Sequence, residues 1–474
     1  MSAARDLPPF VGPDPGSLPA DAGPLRGIRI VECGEAYAVP HATRLLADMG
    51  ADVIKVESCV RPDVSRVWPF PNNDPGDEFW NRGAIFNEPN RNKRAITLDL
   101  RTADGVALFK KLIATADILC ENYTPRVMAQ FGLDHASLVA VKSDIIMLSS
   151  TGFGHSGPWS NYTAWGFTVE PTAGISHFVG YPDGPPLRSG IAYVDMPAAA
   201  VGAYAVLAAL RHRRRTGRGQ WIDLSQYEVG VGFIGEAVVA ASAGADPGGR
   251  TGNRHAVHAP QNLYRCAGSD RWVALTITGD AGFASLCDVI GHAELRGDPR
   301  FATAELRRRH HDVLDKLITA WSLTLAAEEA ALLLQRGGIP SAVAMTNRDM
   351  LFDPHLRHRG FVELATHEPQ TGDLGTRPYP GMAFRLHAQP GRIRRAAPVL
   401  GQDNEEVLGE LGVDAEEQQA LEVEGVIGTK PAAGRMPTAG QRVVEYPQLV
   451  ESGLVEEYDA DFASRLGLPP PATP

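Results

Sequence analysis

Residues 27–57 read GIRIVECGEAYAVPHATRLLADMGADVIKVE. Gly27 to Glu32 is a short β-rich run, and Asp52 to Glu57 is a second one. Between them, residues 40–49 place Leu45, Leu46 and Met49 on one helical face, with Pro40 suited to the first turn and Gly50 to the stop. Two strands joined by a helix pair in parallel, because a crossover of this length cannot close a tight hairpin. The pattern recurs downstream: residues 95–100 are strand-like, 103–114 helical, and 117–121 and 145–149 strand-like again. The expected fold class is therefore α/β, an open parallel Rossmann-like sheet in a large domain, with helices on both faces and site-forming loops at the strand ends.

Further along, residues 196–211 form an Ala-rich stretch with small residues at helical spacing, expected to be a helix buried along most of its length. It ends in His212-Arg-Arg-Arg-Thr-Gly-Arg-Gly219, where the basic run complements the helix dipole and Gly217 supplies the cap. A strand at 220–224 and a second helix at 226–243 follow. Gly244 to Gly252 marks a boundary, beyond which residues 272–277, 283–290 and 312–336 suggest a smaller α/β domain joined by long linker helices. The expected division is a loose arm at 1–24, the first part of the large domain at 25–245, the small domain at 246–370, a return to the large domain at 371–412, and an extension at 413–474 with no assigned role.

With 474 residues, 44% hydrophobic and 21% charged, the chain can bury a full core. A net charge of −11 argues against nonspecific nucleic-acid binding, which needs a basic surface. Cys33, Cys59, Cys120, Cys266 and Cys287 are scattered without CxxC or Cys/His spacing, so buried thiols in a reducing cytosol are expected and a zinc site is not. No apolar run reaches about 18 residues, the length of a membrane span. Residues 1–24 lack the basic start and apolar run of a signal peptide. The expectation is a soluble cytoplasmic protein.

Gly152-Phe-Gly-His-Ser-Gly157 matches GxGxxG after a strand, yet it runs into Pro158-Trp-Ser-Asn-Tyr162 rather than a helix, and the first β-α turn lacks glycines at the required places. Glu57 imitates a ribose-binding acid but stands alone, so a nicotinamide or flavin enzyme is disfavoured. His155, His177, His255 and His258 show no ligand spacing, and no GxSxG elbow is present. Asp195 lies in Gly190-Ile-Ala-Tyr-Val-Asp-Met-Pro197, just ahead of the small-residue helix. It reads as an N-cap, or as a nucleophile whose anion the helix dipole favours, and the two are compatible.

Several ordered blocks together resemble the class III (CaiB/BaiF-type) coenzyme A transferases, the family that includes formyl-CoA transferases and acyl-CoA racemases. They are Arg44 to Glu57, Asn90-Arg-Asn-Lys-Arg-Ala-Ile-Thr-Leu-Asp-Leu100, Ala116-Asp-Ile-Leu-Cys-Glu-Asn-Tyr123, Ser150-Thr-Gly-Phe-Gly154, Gly180-Tyr-Pro-Asp-Gly-Pro-Pro186, Asp195, Thr216-Gly-Arg-Gly-Gln220 and Ala397-Pro-Val-Leu-Gly401. The likeness spans residues 27–412. It implies an acyl-CoA:carboxylate CoA-transferase with CoA esters and carboxylic acids as substrates, no permanently bound cofactor, and an interlocked homodimer with the active site between the lobes. It places Asp195 as the catalytic acyl carrier. Tyr37, Ala38, Leu98, Arg101, Asn122 and Tyr123 fall at CoA-contact positions, with Arg101 as phosphate partner. Tyr37 stands where some relatives carry an amide, and Ser58 where others carry a basic residue. Trp165 and Gly166 occupy the place of the racemases' His-Asp pair, which disfavours epimerisation unless Glu170 or His177 substitutes. Gly248, Gly249 and Gly252 are a candidate cover or oxyanion loop. Tyr37, Trp165, Phe167 and Phe178 read either as core or as an acyl pocket for an aromatic or branched acid with a succinyl-type donor. An acyl-CoA epimerase, an intramolecular CoA isomerase and a noncatalytic acyl-CoA-binding protein are the competing readings.

Overall fold

The computed structural model describes residues 23–67, 69–71, 74–386, 388–434, 450, 451, 459 and 461–468. Nearly all of the expected N-terminal arm and most of the extension beyond residue 434 lie outside the described residues.

Six strands, β1 (Arg29–Cys33), β2 (Asp52–Glu57), β3 (Lys93–Thr97), β4 (Ile118–Glu121), β5 (Ile146–Thr151) and β6 (Trp221–Ser225), form one parallel sheet in the order β3-β2-β1-β4-β5-β6. The α/β class and the parallel Rossmann-like sheet are as the periodicity predicts. Helices cover both faces, which is why β4 and β5 are buried at every residue rather than alternating. On one face, Phe109, Leu112 and Ile113 of helix Ala103–Ala114 pack on Val31, Ile54, Ile96 and Leu119. On the other, helix Ala38–Asp48 lies beside helix Asp195–Thr216. There a Cβ on Gly202 would come within 3.2 Å of Leu148 and 3.8 Å of Ala42, so small residues set how closely that helix rests on the sheet. Strand order reverses between β1 and β4, and the loops leaving these two strands flank the crevice where such sheets take ligands.

Helix Asp195–Thr216 corrects the burial expectation. Ala198, Ala199, Gly202, Ala203, Val206, Ala209 and Leu210 are buried, but Val201, Tyr204 and Leu207 are exposed, Tyr204 to 74%. Small residues at helical spacing define a contact stripe, and one stripe covers only one side of a helix. Its C-terminus is closed by Gly217 at φ 72°, whose N–H donates to the Arg213 carbonyl. The helix expected at 226–243 is broken into Gln226–Gly232 and Gly235–Ser242, with Ile234 at φ −113°, ψ 28°. Gly230, Gly232 and Gly235 weaken helix propagation there.

The chain divides into two compact units, residues 1–173, 190–233 and 351–474, and residues 174–189 and 234–350. The first also holds the antiparallel pair β10 (Val362–Thr366) and β11 (Thr376–Pro380). The second holds β7 (Gln261–Arg265), β8 (Trp272–Thr276) and β9 (Ser341–Val343), an antiparallel sheet with its own core around Tyr264, Phe283, Leu286, Phe301 and Leu314. Residues just past 412 are part of the first unit's core: Val413, Leu421, Val426 and Ile427 pack with Phe109 and Val407. Among the described residues, no single helix is long and apolar enough to cross a membrane.

The charged residues of the Arg44–Glu57 and 90–94 blocks are largely buried and paired with one another. Glu32 accepts hydrogen bonds from Lys55 (3.1 Å), Lys93 (2.6 Å) and Thr43. Asp63 takes a second bond from Lys55 at 3.0 Å. Arg91 and Arg44 both bind Asp48, at 2.8 and 3.0 Å. Glu57 grips Arg66 through two bonds of 2.6 and 2.8 Å, and Arg66 stacks 3.5 Å from the centre of the Phe86 ring. The lone acid at the end of β2 thus holds an arginine of its own chain.

Candidate active site

Asp195 is the first residue of its helix, one place inside the N-cap residue Val194, and no side chain caps that helix. The capping reading therefore fails. The side chain is only 9% exposed, and desolvation pushes its carboxyl up to about 6. The helix dipole alone would lower it. Here burial wins, because no hydrogen-bonding partner among the described residues offsets the loss of water around the anion. The result is a carboxylate that is weakly solvated and still mostly ionised near neutral pH.

Its neighbour is Gly166, first residue of helix Gly166–Thr172. A Cβ built there would stand 2.4 Å from Asp195 Oδ2 and 3.0 Å from Cγ. Only a glycine lets the backbone lie against this carboxylate, and no acid or base at position 166 could share the space. Gly166→Ala is expected to swing the carboxylate aside, lowering kcat by about 100-fold while leaving the thermal transition near its original position. Wild-type turnover in this variant would show that the contact does not position Asp195. Flanking Gly166, Trp165 and Phe167 are 54% and 47% exposed, so neither is a core residue.

The expected nucleotide contacts fall into two groups. Leu98, Arg101 and Tyr123 line a cavity of about 560 Å³ with Val56, Ser58, Val60, Val127 and Phe131, at the C-terminal ends of β2, β3 and β4. Arg101 stands at its rim, 58% exposed on the side chain, held by Asp99 through bonds of 2.9 and 2.6 Å. Tyr37, Ala38 and Asn122 do not line this cavity. Tyr37 stacks on His41 and donates to Glu88 at 3.1 Å. Ala38 is buried in the first turn of its helix. Asn122 donates to the Glu35 carbonyl (2.9 Å) and accepts from the Glu35 N–H (2.8 Å), tying the loops after β1 and β4 together across the switch point.

Two residues that the sequence did not single out shape the cavity. Asp63 accepts from Ala36 N–H, Ser65 and Lys55, fixing the segment after β2 that forms one wall. Glu121, at the end of β4, is buried and its carboxyl is pushed up to about 7, chiefly by desolvation. It accepts from the Tyr123 N–H at 2.8 Å and so presents Tyr123 to the cavity. Its position as the last strand residue before Asn122 was the available signal. Gly248, Gly249 and Gly252 belong to the second unit. Gly248 and Gly249 have open space where a Cβ would stand, whereas Gly252, at φ 61°, lies against the Tyr181 ring and donates to the Gly180 carbonyl at 2.8 Å.

A profile of CoA-transferase family III matches residues 25–404. The chain is 35% identical to a succinyl-CoA–D-citramalate CoA-transferase of Chloroflexus aurantiacus, covering 85% of this chain and 98% of that one. It is 32% identical to a succinate–glutarate CoA-transferase of Agrobacterium fabrum over 83% and 97% of the two chains. Its fold matches the crystal structure of a CaiB/BaiF family protein from Brucella suis with a TM-score of 0.74 and 30% identity, over 82% of this chain and all of that one.

Proposed function

The chain belongs to CoA-transferase family III and is a CoA-transferase, and from that premise we propose that Asp195 carries the acyl group and then CoA itself as covalent intermediates. The Asp195 carboxylate attacks the acyl thioester and expels CoA thiolate, leaving a mixed anhydride. The thiolate attacks the aspartyl carbonyl and the first carboxylate departs, leaving an aspartyl-CoA thioester. The acceptor carboxylate attacks that thioester, giving a second mixed anhydride and thiolate again. Attack of the thiolate on the acceptor's acyl carbon forms the new acyl-CoA and returns Asp195. Each step exchanges one activated acyl bond for another, so the thioester's energy is kept provided water stays out.

The observation that supports this reading best is the burial, against the Gly166 backbone, of an Asp195 carboxylate that has no hydrogen-bonding partner among the described residues. A desolvated carboxylate is a better nucleophile than a hydrated one, and a thiolate of pKa about 8.5 is a competent leaving group. The cavity holding Leu98, Arg101 and Tyr123 suits the nucleotide end of CoA, with an apolar floor and a charged rim. The names of the relatives support succinyl-CoA as donor and a small carboxylic acid as acceptor. The absence of room at Gly166 counts against an epimerase base there. Tyr37, Ala38 and Asn122 are proposed as further CoA contacts outside that cavity, with Asn122 tying the loops after β1 and β4. The working form is an interlocked homodimer, to which the exposed Val201, Tyr204 and Leu207 offer an apolar face.

Mass spectrometry after incubation with succinyl-CoA is expected to find CoA or acyl mass on the Asp195 peptide. No adduct with any thioester donor, alongside steady turnover, would sink the mechanism. A second expected result concerns pH. The attacking form is the anion, so kcat/KM should fall as pH drops through about 6, tenfold per unit below it. An unperturbed aspartate would keep its activity to about pH 4. A rate constant to pH 4.5 in a protein still folded there would show that Asp195 is not the titrating group.

A further inference from the structure

Beyond residue 404, where the family match ends, the chain lays a short strap across the ends of β3 and β2. Asp99 N–H donates to the Val426 carbonyl at 2.8 Å, Gly428 N–H donates to Thr97 Oγ1 at 2.8 Å, and Ala432 N–H donates to the Cys59 carbonyl at 2.8 Å. Asn404 and Thr97 both donate to the Gly428 carbonyl, at 3.1 and 2.6 Å. The strap is thus pinned at three places along its length. Gly428 sits so close to the segment after β2 that a Cβ would stand 3.1 Å from Cys59 Sγ.

Between strap and sheet lies a second hollow of about 530 Å³. It shares Val60, Asp99 and Arg101 with the apolar cavity and adds Cys59 and Lys430. Glu422 and Glu424 also line it. Arg101 is already paired with Asp99, so Lys430 is the hollow's one cation without an ion-pair partner among the described residues.

We propose that this strap completes the CoA site, with Lys430 binding the ribose 3′-phosphate. The inference rests on the reading of the 560 Å³ cavity as the nucleotide site. Direction along the sheet identifies the phosphate. Helix Asp195–Thr216 packs beside β5, β6 and the helix after β1, so the thioester end of CoA belongs on that side. The strap lies at the opposite edge, on β3 and β2. Pyrophosphate joins adenosine to pantetheine and must lie on the inner side of the adenosine, whereas the 3′-phosphate hangs from the ribose as a separate dianion at the outer end. Removing Lys430 would leave that dianion facing Asp99, Glu422, Glu424 and an arginine already engaged.

The test is calorimetric titration of the full chain with CoA and with dephospho-CoA, which lacks only the 3′-phosphate. The wild type should bind CoA about tenfold more tightly, the contribution of one charge-assisted contact. Lys430→Ala should bind the two alike, and Lys430→Arg should keep the preference. Lys110→Ala, in a neighbouring hollow that also touches Arg101, should keep it too. Equal binding of both ligands by the wild type, a preference surviving in Lys430→Ala, or a preference lost only in Lys110→Ala would each overturn the inference while leaving the CoA site standing. A uniform loss of both affinities in Lys430→Ala would assign the lysine to the pyrophosphate and overturn it as well. A wild type that binds neither ligand and forms no adduct on Asp195 would remove the underlying reading, and this inference with it.

Discussion

Asp195→Ala is expected to lower kcat for CoA exchange by about 10⁴-fold or more, the scale seen when a covalent nucleophile is deleted. The backbone of Gly166, which carries no side chain, lies against the carboxylate, and the neighbouring Trp165 and Phe167 bear no nucleophile. Loss of folding would not account for the result. Because the folded chain raises the carboxyl to about 6, the anion is less favourable in the fold than in the unfolded chain. Holding it ionised above the unfolded value of about 3.9 costs stability rather than supplying it. Asp195→Asn and Asp195→Ala should therefore melt at or above the wild-type temperature, and the cavity lined by Leu98, Arg101 and Tyr123 is left untouched. Asp195→Glu is a sharper probe. Its extra methylene must find room against Gly166, so a correct functional group in the wrong place should also be nearly inactive. Steady-state exchange between a labelled acid and its CoA ester measures all three, and an Asp195→Ala enzyme within tenfold of wild type would end the covalent scheme.

The largest stability effect should come from Glu32. Its carboxylate is fully buried, and burial alone would raise its pKa. The charges of Lys93 and Lys55, with hydrogen bonds from Lys93 and Thr43, outweigh this and hold it below the usual range. Glu32→Ala would leave two buried ammonium groups with one fewer counter-charge. Lys55 keeps Asp63 at 3.0 Å, but among the described residues Lys93 is left with the Asn90 side chain and the Pro40 carbonyl, neither of them charged. Breaking one member of a buried ion cluster costs about 3–5 kcal/mol. Lys93 is already lowered to about 8, chiefly by desolvation and against the raising charge of Glu32, so without Glu32 it should shed its proton below pH 8, and the loss should shrink as pH rises towards 8 and level off above it. Urea unfolding at pH 7 and pH 9 tests both parts. A midpoint unchanged at pH 7 would show that the network adds nothing to the fold.

These two expectations separate what was legible in the sequence from what was not. The strand-helix-strand reading of residues 27–57 and the Gly217 cap follow from spacing among near neighbours, because helix and strand periodicities are properties of adjacent residues. A likeness in ordered motifs was enough to single out Asp195. Other properties depend on residues brought together from far apart. Glu32 and Lys93 are separated by 61 positions, and Thr97 meets Gly428 across 331. Pairing at such distances decided that the charged blocks form a buried network, that Asn122 ties two loops while Tyr123 faces the cavity, and that residues past 412 belong to the core. The state of Asp195 was decided the same way. Its place in a helix's first turn suggested a favoured anion, but burial, with the Gly166 backbone lying against it, removed the water. Dielectric and packing are sums over everything nearby in space, and only the folded chain defines what is nearby.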